Sequence, residues 1–253
     1  MDTRAITDEA IILRGRDYRE ADRLLVVLTR KQGKISALAK GVRKTNSSLK
    51  AVTQLFSVST LTFSHSKGLK LVTQGQSIES MRLLREDLDK IAYASYIAEI
   101  VDMVLEEGKA NEQVYVLVFT VLTLLQAADD PYMIMRFFDL RMLAVLGYRP
   151  YLDSCVSCKR GLHNGKFALS AARGGIICES CLGLYNASPV SVGAVRTMAK
   201  ILDSDLRRLF NLKITKSMRE EIDTAIANYM DYYLEKAPKA RAVLAQYTGL
   251  STK

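Results

Sequence analysis

Apolar and polar positions alternate with a period near two over the first third of the chain, and with a period near 3.6 beyond it. Ala10, Ile12 and the apolar neighbours Ile11 and Leu13 predict a first strand that reaches about Arg16. A polar turn, Asp17-Tyr18-Arg19-Glu20, follows it. Residues 24–29 predict a second strand, Lys31-Gln32-Gly33-Lys34 a hairpin turn in which glycine supplies positive φ, and residues 35–39 a third strand. After a polar loop, Phe56, Val58, Thr60 and Thr62 alternate with Leu55, Ser57, Ser59, Leu61 and Phe63 as a fourth strand. A His65-Ser66-Lys67-Gly68 turn leads into a fifth strand at residues 69–73. Five short strands with glycine turns suit a closed barrel of the OB type, with an SH3-like barrel second on pattern alone.

Near Ser80 the period changes. Leu84, Leu88, Ile91, Ser95, Ala98, Val101 and Leu105 fall on one stripe and predict one helix of about 25 residues. Residues 114–128 and 133–146 predict two more helices, divided by Asp129-Asp130-Pro131. The first of these is rich in β-branched residues, so propensity alone would also allow a strand; its length and neighbours favour helix. Residues 192–202 form a short helix, and Ser217 with Glu220 has capping-box spacing for a last helix carrying Ile222, Ile226, Tyr229 and Tyr233. The tail from Pro238 is expected to be loosely ordered. The expected fold class is α+β. An OB-fold β-barrel in residues 1–80 precedes an all-α domain in residues 81–253, which carries a turn-rich insert at 151–187.

Charge adds a function class to this frame. The 253 residues carry a formal net charge of +9, and residues 1–80 hold most of it, with fourteen Lys or Arg against seven Asp or Glu. No acid lies between Arg23 and Ile78, where Arg23, Arg30, Lys31, Lys34, Lys40, Arg43, Lys44, Lys50, Lys67 and Lys70 all fall. A folded surface of one sign attracts polyanions, and nucleic acid is the commonest of these. Of the ten, Arg23, Lys34, Lys40, Arg43, Lys44, Lys50 and Lys70 are the candidate contacts, and phosphate contacts carry no sequence information. Five contacts on single strands would lower log K with log salt at a slope near −3.5, roughly −0.7 per phosphate. The only aromatics expected in the barrel, Tyr18, Phe56 and Phe63, include two at core positions, so little base stacking is expected there.

All four cysteines lie in the insert, as Cys155-x-x-Cys158 and Cys178-x-x-Cys181. Two such pairs offer two thiolates each from tight turns, the spacing of a tetrahedral zinc site. Residues 167–170 and 174–177 predict a small hairpin between the pairs. Four thiolates leave no open position, so one Zn²⁺ per chain would be structural, and His163 is expected at the surface. The N-terminus has no apolar stretch of a signal peptide. The longest apolar run, residues 114–128, would span about 22 Å as a helix against a bilayer core of ~30 Å. A cytoplasmic protein with reduced cysteines and no membrane association is therefore expected.

Phosphate-loop, nucleophile-elbow, zincin and dinucleotide motifs are all absent from the sequence, which has two histidines. No enzymatic activity and no small-molecule substrate are expected. An RNA-binding or ribosome-associated zinc protein would share the basic barrel and the four cysteines.

Two segments carry a resemblance. The opening EAIILRGRDYREADRLLVVLTRKQGKISALAKGVRK, with its Gly-Lys turn and Ala-Lys-Gly-x-Arg-Lys ending, resembles the first strands of the bacterial recombination mediator RecO family. The passage RFFDLRMLAVLGYRPYLDSCVSC resembles that family's entry into its zinc insert, and the likeness spans essentially the whole chain. It implies a protein of the RecF repair pathway that binds single- and double-stranded DNA and anneals complementary strands. It further implies that, with RecR, the protein helps load RecA onto strands coated by single-strand-binding protein (SSB), whose acidic C-terminal tail it engages. Such a protein would work in the cytoplasm, associated with the nucleoid. Arg136, Arg141 and Arg149 are candidates for the tail's acidic groups, with helix-surface ion pairs explaining each equally well.

Overall fold

The structure is a computed structural model that describes residues 5–64, 69–163, 165–183, 185–205, 209, 212, 214–234 and 236–248. It divides into two compact units, residues 1–129 and 130–253.

The first unit is built on β1 (Ile6–Tyr18), β2 (Asp22–Thr29), β3 (Gly33–Ala39), β4 (Val58–Ser64) and β5 (Lys70–Glu79), closed in the order β1-β2-β3-β5-β4. β3 and β5 run parallel through Ala37↔Lys70 and Leu38↔Leu71, and β1 closes on β4 from Ile6↔Phe63 to Ile11↔Val58. This is the OB-like barrel that the period-two pattern predicts. Ala10, Ile12, Leu25, Val27, Ile35, Ala37, Leu61, Phe63 and Val72 fill it, with Leu49 and Val52 of the short helix α1 (Leu49–Val52) as a plug. A bulge between Ile12 and Arg14 lets β1 bend round the barrel. Consequently Ile11 and Leu13 are buried as well, on the strand against which α3 (Leu88–Val104) packs.

Three expectations change here. Phe56 lies outside β4, at φ 64° and 1% exposed, so it anchors the α1–β4 connection and is not a strand residue. β5 runs on to Glu79 because Gln74, Gly75, Gln76 and Ser77 pair with β4; polar residues gave no apolar signal for it. The single long helix is broken into α2 (Arg82–Arg85) and α3, because the Asp87 carboxylate accepts from the N–H groups of Asp89 and Lys90 and starts a new helix. α4 (Glu112–Ala127) is a helix, capped by Asn111. The proposed turn at residues 65–68 lies outside the described residues. The β2–β3 turn is as predicted, with Gly33 at φ 73°, and here glycine is required twice over. A Cβ at Gly33 would lie 2.0 Å from the Lys109 carbonyl oxygen, because the loop after α3 lies against this turn.

The second unit packs α5 (Tyr132–Val145), buried along most of its length, against α7 (Val192–Asp203) and α8 (Lys216–Leu234). Thr215, not Ser217, begins α8: its hydroxyl accepts from the Met218 N–H at 3.2 Å. The expectation of a loose tail is corrected by α9 (Lys239–Thr248). Leu244 of α9 is buried and Arg241 forms a two-pronged ion pair with Asp231 at 2.6 and 2.7 Å. The insert forms β6 (Phe167–Ser170) and β7 (Gly175–Cys178), the hairpin predicted between the cysteine pairs, with α6 (Glu179–Leu182) after them. β8 (Ser188–Val190) adds to the far edge of β6.

Candidate nucleic-acid interface and metal centre

The loop from Lys40 to Ser48 is fastened to the β1–β2 turn by its backbone. The Gly41 N–H donates to Asp22 Oδ1 at 2.8 Å and the Arg43 N–H to the Ala21 carbonyl at 3.0 Å. Arg43 adds its guanidinium, which donates to the Glu20 carbonyl at 3.1 Å and pairs with Asp17 at 3.3 Å. Turns within the loop, Lys44 N–H to Gly41 and Ser47 N–H to Lys44, fix it further. The result is a rigid backbone presenting flexible cations. Lys40, Lys44 and Lys50 are exposed and have no ion-pair partner among the described residues, and Arg43 is exposed beside them.

The other three predicted contacts are placed differently. Lys34 is mostly buried and its Nζ reaches Asp102 of α3, 3.1 Å from Oδ1 and 2.5 Å from the carbonyl oxygen. Arg23 pairs with Asp17 at 3.0 Å, and Lys70 donates to the Gln32 side chain. Arg30, from the same acid-free stretch, sits between Glu9 at 3.2 Å and Glu112 at 2.7 Å. So the structure places Lys40, Arg43 and Lys44 on one loop, with Lys50 in α1 directly after it, and gives Lys34, Arg23 and Lys70 partners inside the unit. Two cations that the acid-free window excluded belong near the loop. Arg16 and Arg19 are exposed on the β1–β2 hairpin, and the Arg19 guanidinium covers the Tyr18 ring at 5.2 Å. Their acidic neighbours in sequence hid them; the docking of the loop on residues 17–22 is what reveals them. Phe56 and Phe63 are buried, so among the described residues the barrel offers phosphate contacts and no well-exposed ring.

In the insert, the four predicted ligands meet. The Sγ atoms of Cys155, Cys158, Cys178 and Cys181 all lie within 4.8 Å of one another, with Cys158 and Cys178 at 3.6 Å, and none is in a disulfide. Tetrahedral coordination by four sulfurs at ~2.3 Å implies sulfur separations of about 3.8 Å, so the donor set fits a zinc-like ion. Two turns build it. At the first, the Cys155 carbonyl accepts from the Lys159 N–H at 2.9 Å, with Lys159 at φ 61°. At the second, Cys178 ends β7 and Cys181 lies in α6. The turns are brought together where Gly175 passes Tyr151: a Cβ there would stand 2.4 Å from the Tyr151 carbonyl oxygen. His163 is exposed and is not among the clustered donors.

Electrostatics at these thiols are divided. Burial pushes the Cys155 thiol up, but the backbone N–H groups of Cys158, Cys178 and Ser157 outweigh it and bring it down to about 6. Hydrogen bonds with the Cys158 and Cys178 side chains push Cys181 up to about 12. A dication at the cluster would favour the thiolate form of its ligands. Lys159 and Arg160 are exposed at the rim, and Lys166 pairs loosely with Glu179 at 3.6 Å.

The arginines considered for an acidic peptide all have partners within the second unit. Arg136 is 7% exposed and lies between Asp139 at 3.2 Å and Asp223 at 3.3 Å. Arg141 donates to the Ser204 carbonyl at 2.9 Å, and Arg149 pairs with Asp203 at 2.6 Å. Among the described residues no helix is long and apolar enough to cross a membrane.

With this geometry in view, comparison with known proteins gives a consistent answer over both units. The family model described as "Recombination protein O N terminal" matches residues 1–81, and "Recombination protein O C terminal" matches residues 85–242. The chain is similar to the DNA repair protein RecO of Symbiobacterium thermophilum, 36% identical over 240 residues that cover 93% of this chain and 95% of that one. It is 37% identical over 243 residues to the same-named protein of Moorella thermoacetica, covering 95% and 91% of the two chains. For that of Bacillus pumilus the values are 37% over 247 residues, 97% and 95%.

Proposed function

The chain belongs to the RecO family of DNA repair proteins, and on that premise we propose that it is a non-enzymatic recombination mediator. It serves DNA repair and recombination by binding single- and double-stranded DNA on the barrel, annealing complementary strands and, with RecR, helping RecA load onto strands coated with SSB. Its place of work is the cytoplasm, at the nucleoid, and the acidic SSB tail is its route to coated strands.

The observation that carries this reading is the loop of residues 40–48. Its backbone is fixed to the β1–β2 turn, and it exposes Lys40, Arg43 and Lys44, with Lys50 exposed just beyond it in α1. Phosphates of any sequence, in one strand or two, meet the same cations. Annealing requires two polyanions to approach, and a shared cationic surface lowers their repulsion without forming or breaking a covalent bond. Four contacts of this kind on single strands give a salt slope near −2.8, at roughly −0.7 per phosphate.

Cys155, Cys158, Cys178 and Cys181 would hold one Zn²⁺, which would cross-link the two turns of the insert and, with four thiolate ligands, would leave no open position for catalysis.

The test is annealing of complementary strands already coated with SSB. Acceleration that vanishes when the SSB acidic tail is deleted is the expected result. Annealing of bare strands alone would reduce the protein to a general basic DNA binder. Failure in both, with preference for RNA, would replace the reading with that of an RNA-binding zinc protein.

A further inference from the structure

The chain has twelve tyrosines, seven phenylalanines and no tryptophan. Among the described residues, four tyrosine rings are well exposed: Tyr148 at 41%, Tyr151 at 43%, Tyr185 at 44% and Tyr232 at 58%. Single exposed tyrosines are ordinary, but these four converge on one feature, the β6–β7 turn at residues 171–174. Tyr151 is tied to the turn by its N–H, which donates to the Gly174 carbonyl at 2.9 Å. Tyr233 donates its hydroxyl to the Ala171 carbonyl at 2.8 Å; Tyr148 stacks on Tyr233 at 4.1 Å and Tyr232 meets it edge-on at 5.1 Å. Arg173, at the turn itself, lies over the Tyr185 ring at 5.2 Å, and Lys159 lies over the Tyr151 ring at 5.4 Å.

We propose that this tyrosine face around the β6–β7 turn is a second nucleic-acid site, one that stacks the unpaired bases of single-stranded DNA. The chemistry differs from that of the barrel loop, which has cations and no free rings. Exposed rings backed by cations form a stacking platform: every base has a π-face to offer, and the cation on the ring also answers the phosphate. A duplex keeps its bases stacked on one another and has none to give. Tyr148 is preset for the task, because the Tyr233 ring holds one of its faces and keeps its plane fixed, so little rotamer freedom is lost on binding. Two acids lie close to the face in sequence and limit its pull on phosphate: Asp153, exposed two residues after Tyr151, and Asp231, which precedes Tyr232 and pairs with Arg241. The site therefore reads strandedness, and the barrel loop supplies attraction to either form.

This inference rests on the DNA-binding reading above, and the experiment separates the two. The full-length protein is titrated with a thymidine oligonucleotide, with an abasic strand of the same length and with a duplex, at one salt concentration. Tyrosine emission is the second readout, unobscured because tryptophan is absent. The base-bearing strand should bind about tenfold or more tighter than the abasic strand and should quench the emission. Tyr148→Ala with Tyr232→Ala should erase that difference while leaving duplex affinity unchanged, and the corresponding Phe pair should retain it. Tyr232→Ala and Tyr185→Ala, singly, are milder variants should the loss of the Tyr148–Tyr233 stack disturb folding; each should reduce the preference.

A preference that survives all the alanine variants overturns the proposal, as does equal weakening toward strand and duplex. Binding of an acidic peptide that these variants abolish, with strand preference intact, would assign the face to protein instead. No base dependence in the unmodified protein sinks this inference alone; no binding of any strand sinks the DNA reading itself.

Discussion

Asp17 and Arg43 hold the cationic loop to the barrel: Asp17 Oδ2 is 3.3 Å from Arg43 Nε, while Oδ1 of the same carboxylate is 3.0 Å from Arg23. One acid thus serves two bases at the edge of the proposed DNA surface. The pair is exposed, so its worth to stability is about 1 kcal/mol or less. Its effect on the field is larger, since it cancels a charge where phosphates would arrive.

Asp17→Asn should therefore strengthen DNA binding at low salt and steepen the salt slope by about one, at a stability cost below about 1 kcal/mol. Fluorescence anisotropy across a salt series measures the first two quantities, and urea unfolding the third. Weaker binding in this variant would mean that the loop's position matters more than its charge.

Arg43→Glu with Lys44→Glu should reduce affinity for single strands and duplex alike, by tenfold or more at moderate salt, and lower the magnitude of the slope by roughly 1.4, two phosphates at ~0.7 each. Both side chains are exposed, so the fold and the proposed zinc site should be retained. Unchanged binding would remove this loop from the interface. By contrast, Lys34→Glu should act through stability, because it places a second carboxylate beside Asp102.

Zinc affinity should rise with pH through neutrality. In the metal-free protein Cys181 titrates at about 12, so below that pH its proton must leave when the ion enters, and this thiol alone contributes tenfold per pH unit. Cys155, brought down to about 6, contributes such a dependence only below that value. Competition with a chromogenic chelator between pH 6.5 and 8.5 would measure the sum, and a flat profile would contradict four-thiolate binding. Cys178→Ser should lower zinc content below one per chain and destabilise the insert; full retention would exclude Cys178 as a ligand.

Gly33→Ala should be among the costliest single-methyl additions in the chain. It combines a left-handed backbone, worth about 1–3 kcal/mol to a non-glycine residue, with a Cβ 2.0 Å from a backbone oxygen that has no side chain to rotate away. Thermal unfolding should fall by several degrees or more. Gly174→Ala, also at positive φ but with nothing within 4 Å, should pay only the conformational part.

What could be read in advance follows the physics of each signal. The barrel was legible because each of β1, β2, β3 and β4 turns alternate side chains into the barrel core, and that writes period two into the sequence. The far half of β5 was not, since Gln74, Gln76 and Ser77 are held by backbone pairing with β4 and need no apolar side chains. The α2–α3 break was hidden because Leu84 and Leu88 keep helical spacing, although Leu84 is buried and Leu88 is 69% exposed; the Asp87 cap decides it. Helix α9, ten residues long, is too short to show a sustained helical period. The meeting of the four cysteines was legible, since two Cys-x-x-Cys turns fix geometry locally. The charge map was legible only in part: acid-free in sequence is not acid-free in space once Asp17, Asp102, Glu9 and Glu112 fold back onto Arg23, Lys34 and Arg30.

That last point bears on how the protein should be dissected. A fragment ending at residue 80 would look like an autonomous barrel, yet Lys34 would lose Asp102, Arg30 would lose Glu112, and Ile11 and Leu13 would lose α3. Such a fragment would be stickier and more cationic than the same strands in the intact chain, and its apparent affinity for DNA would be inflated by groups the whole protein keeps silent. A cut at 129 preserves those counter-charges. The acids of α3 and α4 thus act as insulation over Lys34 and Arg30, and the reach of the positive field is set as much by where it is cancelled as by where it is displayed.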